Sequence, residues 1–207
     1  MEIQYHGANC VTITTKHSRV VIDDNLADLG GKSVSKKDDI LLFSGSHSSH
    51  PEARLLVDQP GEYEISGISI YGIPARSHLE NETNRSATIY KLVVEDVRIL
   101  AVGHIYSDLT DKQLEMIGMV DIMLVPVGGN GFTLDPVGAL KLIKKIEPKV
   151  VVPTYYANPS LNYPVPQQSL EEALKTLSME VKETTARFKP KPESLSDGIT
   201  KLVILEG

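Results

Sequence analysis

Short apolar stretches bounded by polar turns run through the first half of the chain. The segments EIQYHG, CVTITT and RVVIDD alternate or run apolar, which is the pattern of short strands. Two longer stretches, GEYEISGISIYGI and ATIYKLVVEDVRILAVGH, each indicate a hairpin, with turns at Ser66-Gly67 and at Glu95-Asp96. The pattern predicts a β-meander in this half of the chain.

Helical signals appear in the second half, between further apolar runs. Three helices are predicted from a capping side chain at the start, namely Thr110 with Gln113, Asp135 before Pro136, and Ser169 with Glu172. Buried strands are predicted for VDIMLVPV, KVVVPTYY and ITKLVILE. This mixture favours an α+β or α/β fold in which helices cover layers of sheet.

The composition is typical of a globular protein with its own core. The chain has 207 residues, of which 41% are hydrophobic and 23% are charged, and this predicts a single domain over residues 1–207. No apolar run is long enough to span a membrane, and the N-terminus lacks the features of a signal peptide. Because Cys10 is the only cysteine, no disulfide can form within the chain, and we expect a cytoplasmic protein.

The charge of the chain bears on its partners. The formal net charge is −6 and the lysines are scattered, whereas binding to nucleic acid requires a basic patch. The densest basic run, KLIKKIEPK, is typical of the solvated face of a helix. We therefore expect a small-molecule substrate or ligand as partner, and neither nucleic acid nor a membrane. No motif indicates an oligomeric state.

Four of the six histidines come after apolar runs. DDILLFSGSH leads to His47 and His50, ISIYGIPARSH leads to His78, and VRILAVGH leads to His104. Loops at strand ends often carry functional groups on a rigid scaffold. Neutral imidazoles suit zinc and other divalent metals, and three protein ligands leave a position for a water whose pKa falls to about 7. The pattern indicates a candidate metal site.

The same segments carry a resemblance to a known family. Seven segments carry it, spread between residues 6 and 156: HGANC, VVIDD, DDILLFSGSHSSH, PGEYEISGISIYGIPARSH, LAVGHIYSDLTDKQLEMIG, VDIMLVPVGGNGFTLD and IEPKVVVPTYY. On these segments the chain resembles the metallo-β-lactamase superfamily, and within it the metal-dependent hydrolases similar to ascorbate-6-phosphate lactonase. The resemblance implies a four-layer αβ/βα sandwich with two metals in a cleft at one edge. Such a resemblance indicates fold more strongly than activity.

The metal ligands implied by this resemblance are only partly present. In the family motif His-x-His-x-Asp-His, His47 and His50 match the second and fourth ligands, whereas Gly45 replaces the first His and Ser49 replaces the Asp. His78 matches an isolated His of the family. At two further positions the chain departs from the family: His104 replaces the bridging Asp, and Tyr155 replaces the last His. Asp24 falls near a supporting Asp of the family.

The departures bear on how many metals the site could hold. Both acidic ligands are lost, and two close divalent ions need carboxylates to offset their repulsion. The resemblance therefore implies at most one ion, zinc or another divalent metal, with His47, His78 and His104 as ligands. His50 would lie nearby as a further ligand or as a proton acceptor.

Two functional hypotheses follow, and both stay open at the level of sequence. In the first, a metal-bound water attacks an ester, lactone or phosphoester, Ser49 or His50 orients that water, and Tyr155 binds a ligand or an oxyanion. In the second, the chain is an inactive relative that binds a small, anionic molecule or acts as a scaffold without metal. A serine hydrolase is disfavoured because the chain has no G-x-S-x-G motif.

Overall fold

Two β-sheets pack face to face in this computed structural model of the chain, which describes residues 1–47, 52–81, 84–191, 195 and 198–207. Within these ranges the smaller sheet consists, in order, of β1 (Glu2–Tyr5), β2 (Val11–Thr14), β3 (Arg19–Ile22), β4 (Ile40–Leu42) and β5 (Leu55–Val57). Strands β1 to β3 are antiparallel, whereas β3, β4 and β5 are parallel. The carboxyl ends of β3 and β4 therefore lie side by side.

The larger sheet has the strand order β12-β13-β11-β10-β9-β8-β7-β6. Its strands are β6 (Gly61–Ile65), β7 (Ile68–Asn81), β8 (Asn84–Val94), β9 (Val97–Ala101), β10 (Ile122–Pro126), β11 (Val150–Thr154), β12 (Val181–Thr185) and β13 (Lys201–Leu205). Strands β6 to β9 are antiparallel, and the turns at Ser66-Gly67 and Glu95-Asp96 confirm the two predicted hairpins. From β9 to β12 the neighbouring strands are parallel.

The helices begin where their capping residues predict. They are α1 (Asp111–Ile117), α2 (Pro136–Ile146) and α3 (Leu170–Leu177). Thr110 and Ser169 each complete a capping box, and Asp135 accepts a hydrogen bond from the backbone N–H of Gly138 at 2.7 Å. Among the described residues, no helix is long and apolar enough to cross a bilayer.

Three apolar clusters define the layers. The largest lies between the sheets and includes Ile3, Ile22 and Leu42 of the small sheet and Tyr90 and Val152 of the large one. A second cluster joins the outer face of the large sheet to the helices. The third covers the outer face of the small sheet, where loops and one turn of 3-10 helix (Ala27–Leu29) form the fourth layer. The predicted αβ/βα sandwich is confirmed, with a thin outer layer on the small sheet.

The sequence pattern missed two strands. Strand β5 has three residues and follows a polar loop, so it gives little periodic signal. Strand β12 reads VKETT and lies at the edge of the large sheet with most of its side chains exposed or half-buried. An edge strand need not bury both faces, and this one therefore lacks the apolar run that marks the other parallel strands.

Candidate ligand-binding site

A cavity of about 260 Å³ lies where the loops after β1, β3, β4, β9 and β11 come together. Its walls come from both sheets, which explains why distant segments of sequence meet there. Its lining residues are Ala8, Asn9, Asp23, Asn25, Asp28, Leu29, Ser44, Gly45, Ser46, Ser77, Leu79, Ala87, His104, Phe132, Tyr155 and Pro164. The lining combines small hydroxyls, amides, two carboxylates and an aromatic wall.

Asp23 and Ser44 form a buried pair at the floor of this cavity. The Ser44 backbone N–H and side-chain hydroxyl each donate to one carboxylate oxygen of Asp23, at 2.6 Å. Asp23 adopts a left-handed backbone with φ 48°, and its own N–H donates to the carbonyl of Leu42 at 2.8 Å. Burial raises the pKa of Asp23 to about 6, although the hydrogen bonds from Ser44 favour its ionised form.

Gly103 holds Ser44 in place from the large sheet. It has φ +66°, and a Cβ atom at this position would lie 2.3 Å from the Ser44 hydroxyl oxygen. The Ser44 carbonyl also accepts a hydrogen bond from the backbone N–H of Thr88 at 2.8 Å. Ser44 is thus fixed by contacts from β3, β8 and the loop after β9, so this part of the site is rigid.

His104 is packed between aromatic rings. The edge of its ring meets Tyr155 with a centroid distance of 4.6 Å and Phe132 with one of 5.4 Å. Burial, and to a smaller extent the nearby His78, lower the pKa of His104 to about 4. The imidazole is therefore neutral at pH 7. Its Nδ1 atom is buried and has no hydrogen-bond partner among the described residues.

Tyr155 forms the aromatic wall of the cavity together with Phe132. The two rings are nearly parallel, at 15° with centroids 5.7 Å apart, and Tyr163 packs against Tyr155 with its ring inclined by 68°. The Tyr155 backbone has φ 53°, and its N–H donates to the carbonyl of Ala8 at 2.7 Å. Burial raises the pKa of Tyr155 above its usual value, so the phenol is neutral. The predicted site residue Tyr155 does line the cavity.

His78 was expected to lie past the end of a strand. It lies instead within β7, which continues to Asn81. Its backbone N–H donates to the carbonyl of His104 at 2.8 Å, so the two histidines are brought together. The cavity is lined by the preceding residue, Ser77, and not by His78. Neighbouring residues of a strand point to opposite faces, and this alternation explains why Ser77 faces the cavity instead.

His47 lies beside the cavity. Its ring stacks on Phe43 with a centroid distance of 4.2 Å, and its Nε2 is 3.4 Å from a carboxylate oxygen of Asp58. It lines a neighbouring pocket of about 260 Å³ that shares Ser44, Gly45, Ser46 and Ala87 with the cavity. The two other predicted site residues, Ser49 and His50, lie outside the described residues.

The described side chains around the cavity offer few ligands for a metal ion. Within the described ranges, no three His, Cys, Asp or Glu side chains are grouped so that they could hold a metal ion. The structure brings His78 to His104 but does not add His47 to form the predicted three-histidine set. Serine hydroxyls, from Ser44 and Ser77 among others, line the cavity instead, and neutral hydroxyls are not the ligands that zinc prefers. The described donor set does not fit a metal.

Asp24, which falls near a supporting Asp of the family, is not among the residues that line the cavity. Its Oδ2 accepts hydrogen bonds from the loop that contains Ser33, Val34 and Ser35. Asp23 is the residue that reaches the cavity. Two adjacent Asp residues at the end of a buried strand were the available signal, and only the pairing of β3 with β4 decides which one meets Ser44.

Comparison with known sequences gives one family. The model of the β-lactamase superfamily domain matches residues 2–155. A UPF0173 metal-dependent hydrolase of Bacillus subtilis, YtkL, is 24% identical over 214 residues, which cover 83% of this chain and 90% of the relative. A UPF0173 protein of Pyrococcus abyssi is 26% identical over 181 residues, covering 75% of this chain and 83% of the relative.

Solved structures share the architecture. A metallo-β-lactamase superfamily protein of Thermotoga maritima superimposes with a TM-score of 0.75 at 22% identity, over 100% of both chains. Igni18, a metallo hydrolase of Ignicoccus hospitalis, gives a TM-score of 0.64 at 15% identity, over 99% of this chain and 94% of the other. At these identities the likeness concerns the fold, and it agrees with the sandwich predicted from sequence.

Proposed function

The chain belongs to the β-lactamase superfamily, whose domain model matches residues 2–155, and we propose that it binds a small molecule in this cavity. The observation that carries the proposal is the lining itself. Ser44, Ser46 and Ser77 line the cavity together with His104, whose neutral ring is packed against Tyr155 and Phe132. Such a lining offers hydrogen bonds and an apolar wall, which is what an organic ligand requires.

The rigidity of the floor supports binding. Asp23, Ser44 and Gly103 are fixed by short hydrogen bonds and by close packing across both sheets. A site that is already ordered loses little conformational entropy when a ligand enters. The cavity of about 260 Å³ has room for a compact ligand of roughly ten non-hydrogen atoms. We therefore propose a binding protein that retains the family fold.

A second candidate is a metal-dependent hydrolase, the activity named for the Bacillus subtilis relative. It is favoured by the contact between His78 and His104, each of which has a buried Nδ1 with no partner among the described residues. A divalent ion supplies an acidified water in such enzymes. Because the described residues provide too few metal ligands, this candidate requires His50 to complete the set of ligands. Ser49 or Tyr155 would then act on water or substrate.

The experiment uses Gly45, which lines the cavity and has no described atom within 4 Å of an added Cβ. Gly45→Phe should fill the cavity, whereas Gly45→Ala is the matched control. We expect a metabolite library to contain compounds that raise the Tm of the wild type and of Gly45→Ala but not of Gly45→Phe. The proposal fails if no compound raises the Tm of the wild type, or if the filled variant responds equally.

A further inference from the structure

Ser77 and Asn25 bring hydrogen-bonding groups to the cavity that the described part of the protein does not use. Ser77 is only 4% exposed and lines the cavity, and its hydroxyl has no partner among the described residues. That hydroxyl oxygen is nevertheless not one of the buried, unpaired polar atoms, so it reaches the accessible surface of the cavity. Asn25 is half-buried, lines the same cavity and makes no side-chain hydrogen bond within the described ranges. A matching ligand therefore needs polar groups along one edge.

The side-chain amide of Asn25 favours a particular kind of edge. An Asn amide presents an acceptor oxygen and a donor nitrogen side by side. It pairs in a bidentate manner with a donor and an acceptor in the same arrangement, as it does at the edge of a nucleobase. A neighbouring C=O and N–H of a heterocyclic ring have this arrangement. The Ser77 hydroxyl both donates and accepts, so it suits a second C=O or N–H of the same ring.

The wall formed by Phe132 and Tyr155 adds an independent preference, which concerns the shape of the ligand. The two rings are inclined to each other by only 15°, both line the cavity, and Phe132 is only partly buried. Flat heterocyclic rings stack on aromatic side chains, and proteins that bind single bases use this contact. The cavity of about 260 Å³ matches one such ring with its substituents.

We propose that the cavity binds a small, flat nitrogen heterocycle of the pyrimidine type, with one face against the Phe132–Tyr155 wall and its N–H and C=O edge bonded by Asn25 and Ser77. This inference rests on the proposed function, since it takes the cavity as the ligand site, and it deepens that function by naming the class of ligand. Asp23 stays bonded to Ser44 as part of the floor.

Three probes of nearly equal size test the flat ring and its polar edge separately. Thymine has both features, 5,6-dihydrothymine keeps the polar groups on a puckered ring, and 2,4-difluorotoluene keeps the flat shape without any N–H or C=O. By titration calorimetry of the wild type, thymine should bind at least about fivefold more tightly than either of the other two. Equal or tighter binding of either analogue overturns the proposal, as does failure of thymine to bind.

Variants test the residues to which the two contacts are assigned. Phe132→Leu keeps an apolar side chain but loses the ring, so it should weaken thymine by at least about fivefold with little effect on 5,6-dihydrothymine, whereas Phe132→Tyr should retain the binding of thymine. Ser77→Ala should also weaken thymine but leave the Tm of the free protein unchanged, because the hydroxyl has no described partner in the protein. Binding as tight as that of the wild type in Phe132→Leu or Ser77→Ala contradicts the proposal.

Failure of this inference can be told apart from failure of the proposed function. If library compounds bind, Gly45→Phe abolishes their binding and thymine does not bind, the cavity is a ligand site and only the class of ligand is wrong. If no probe and no library compound binds, both proposals fail.

Discussion

Ser44 donates its backbone N–H and its hydroxyl to the two carboxylate oxygens of Asp23, both at 2.6 Å, in the buried floor of the cavity. This pair joins the ends of two parallel strands and is held from the other sheet by Gly103. A carboxylate bound in this way is part of the framework of the site. Substitutions at Asp23 and Gly103 should therefore disturb this framework.

The charge of Asp23 should make stability depend on pH. The pKa of about 6 in the folded protein lies above the ordinary value of about 3.9. A raised pKa means that the folded state binds the proton more tightly, so stability should fall as the pH rises from about 4 to about 6. The loss is of order 3 kcal/mol.

The check is the free energy of unfolding in urea at several pH values for the wild type and Asp23→Asn. Other carboxylates contribute slopes of their own, so the informative quantity is the difference between the two proteins. This difference should change across the window of pH 4 to 6 and stay constant above it. Identical pH profiles would show that Asp23 does not carry the proposed buried charge.

Asp121 should show the opposite pH dependence. It is buried and accepts hydrogen bonds from Arg98 at 2.8 and 2.9 Å, and Lys149 lies 2.8 Å away. Hydrogen bonds and charge from these cations hold the pKa of Asp121 well below its usual range, against the effect of burial. This contribution is present above about pH 4 and is lost as the pH falls below that value.

Asp121→Asn should lower the free energy of unfolding at pH 7 by about 2 kcal/mol, because two partly exposed cations lose their partner. Glu171→Gln is the control, since it breaks an exposed pair with Lys175 and should change stability by less than about 0.5 kcal/mol. Urea unfolding measures both. Equal effects of the two substitutions would contradict a structural role for Asp121.

Gly103→Ala should destabilise the floor of the cavity for two reasons. The positive φ is unfavourable for alanine, and the new methyl group would meet Ser44. Gly67→Ala is a matched control because Gly67 has φ +73° and no described atom within 4 Å of an added Cβ. Gly103→Ala should therefore cost about 1–3 kcal/mol more than Gly67→Ala in thermal or urea unfolding. Equal costs would show that Ser44 is not held by this packing.

Much of the fold was predictable because local signals agree with it. The caps at Thr110, Asp135 and Ser169 placed three helices, and the turns at Ser66 and Glu95 placed two hairpins. These features depend on residues close together in sequence. Strand β12 could not be predicted, because an exposed edge strand has no apolar pattern. The single domain over residues 1–207 stays a prediction.

The candidate site was less predictable, because its geometry depends on contacts distant in sequence. Tyr155 and His104, two of the predicted site residues, both line the cavity. Ser77 lines it in place of His78, and Asp23 reaches it in place of Asp24, each shifted by one residue. In a strand, a shift of one residue exchanges the two faces, which explains Ser77 and His78. Asp23 and Asp24 lie past the end of β3, where Asp23 has a left-handed backbone, so strand alternation does not decide which of the two enters the cavity.

Metal content is the most direct test of a cavity that binds its ligand without a metal cluster. The untagged protein should be loaded with zinc or manganese, desalted, and analysed by inductively coupled plasma mass spectrometry. We predict far less than one metal per chain, with no change in His104→Ala. Retention of about one or two metals per chain, lost in His104→Ala or His50→Ala, would contradict the account and favour the metal-dependent hydrolase.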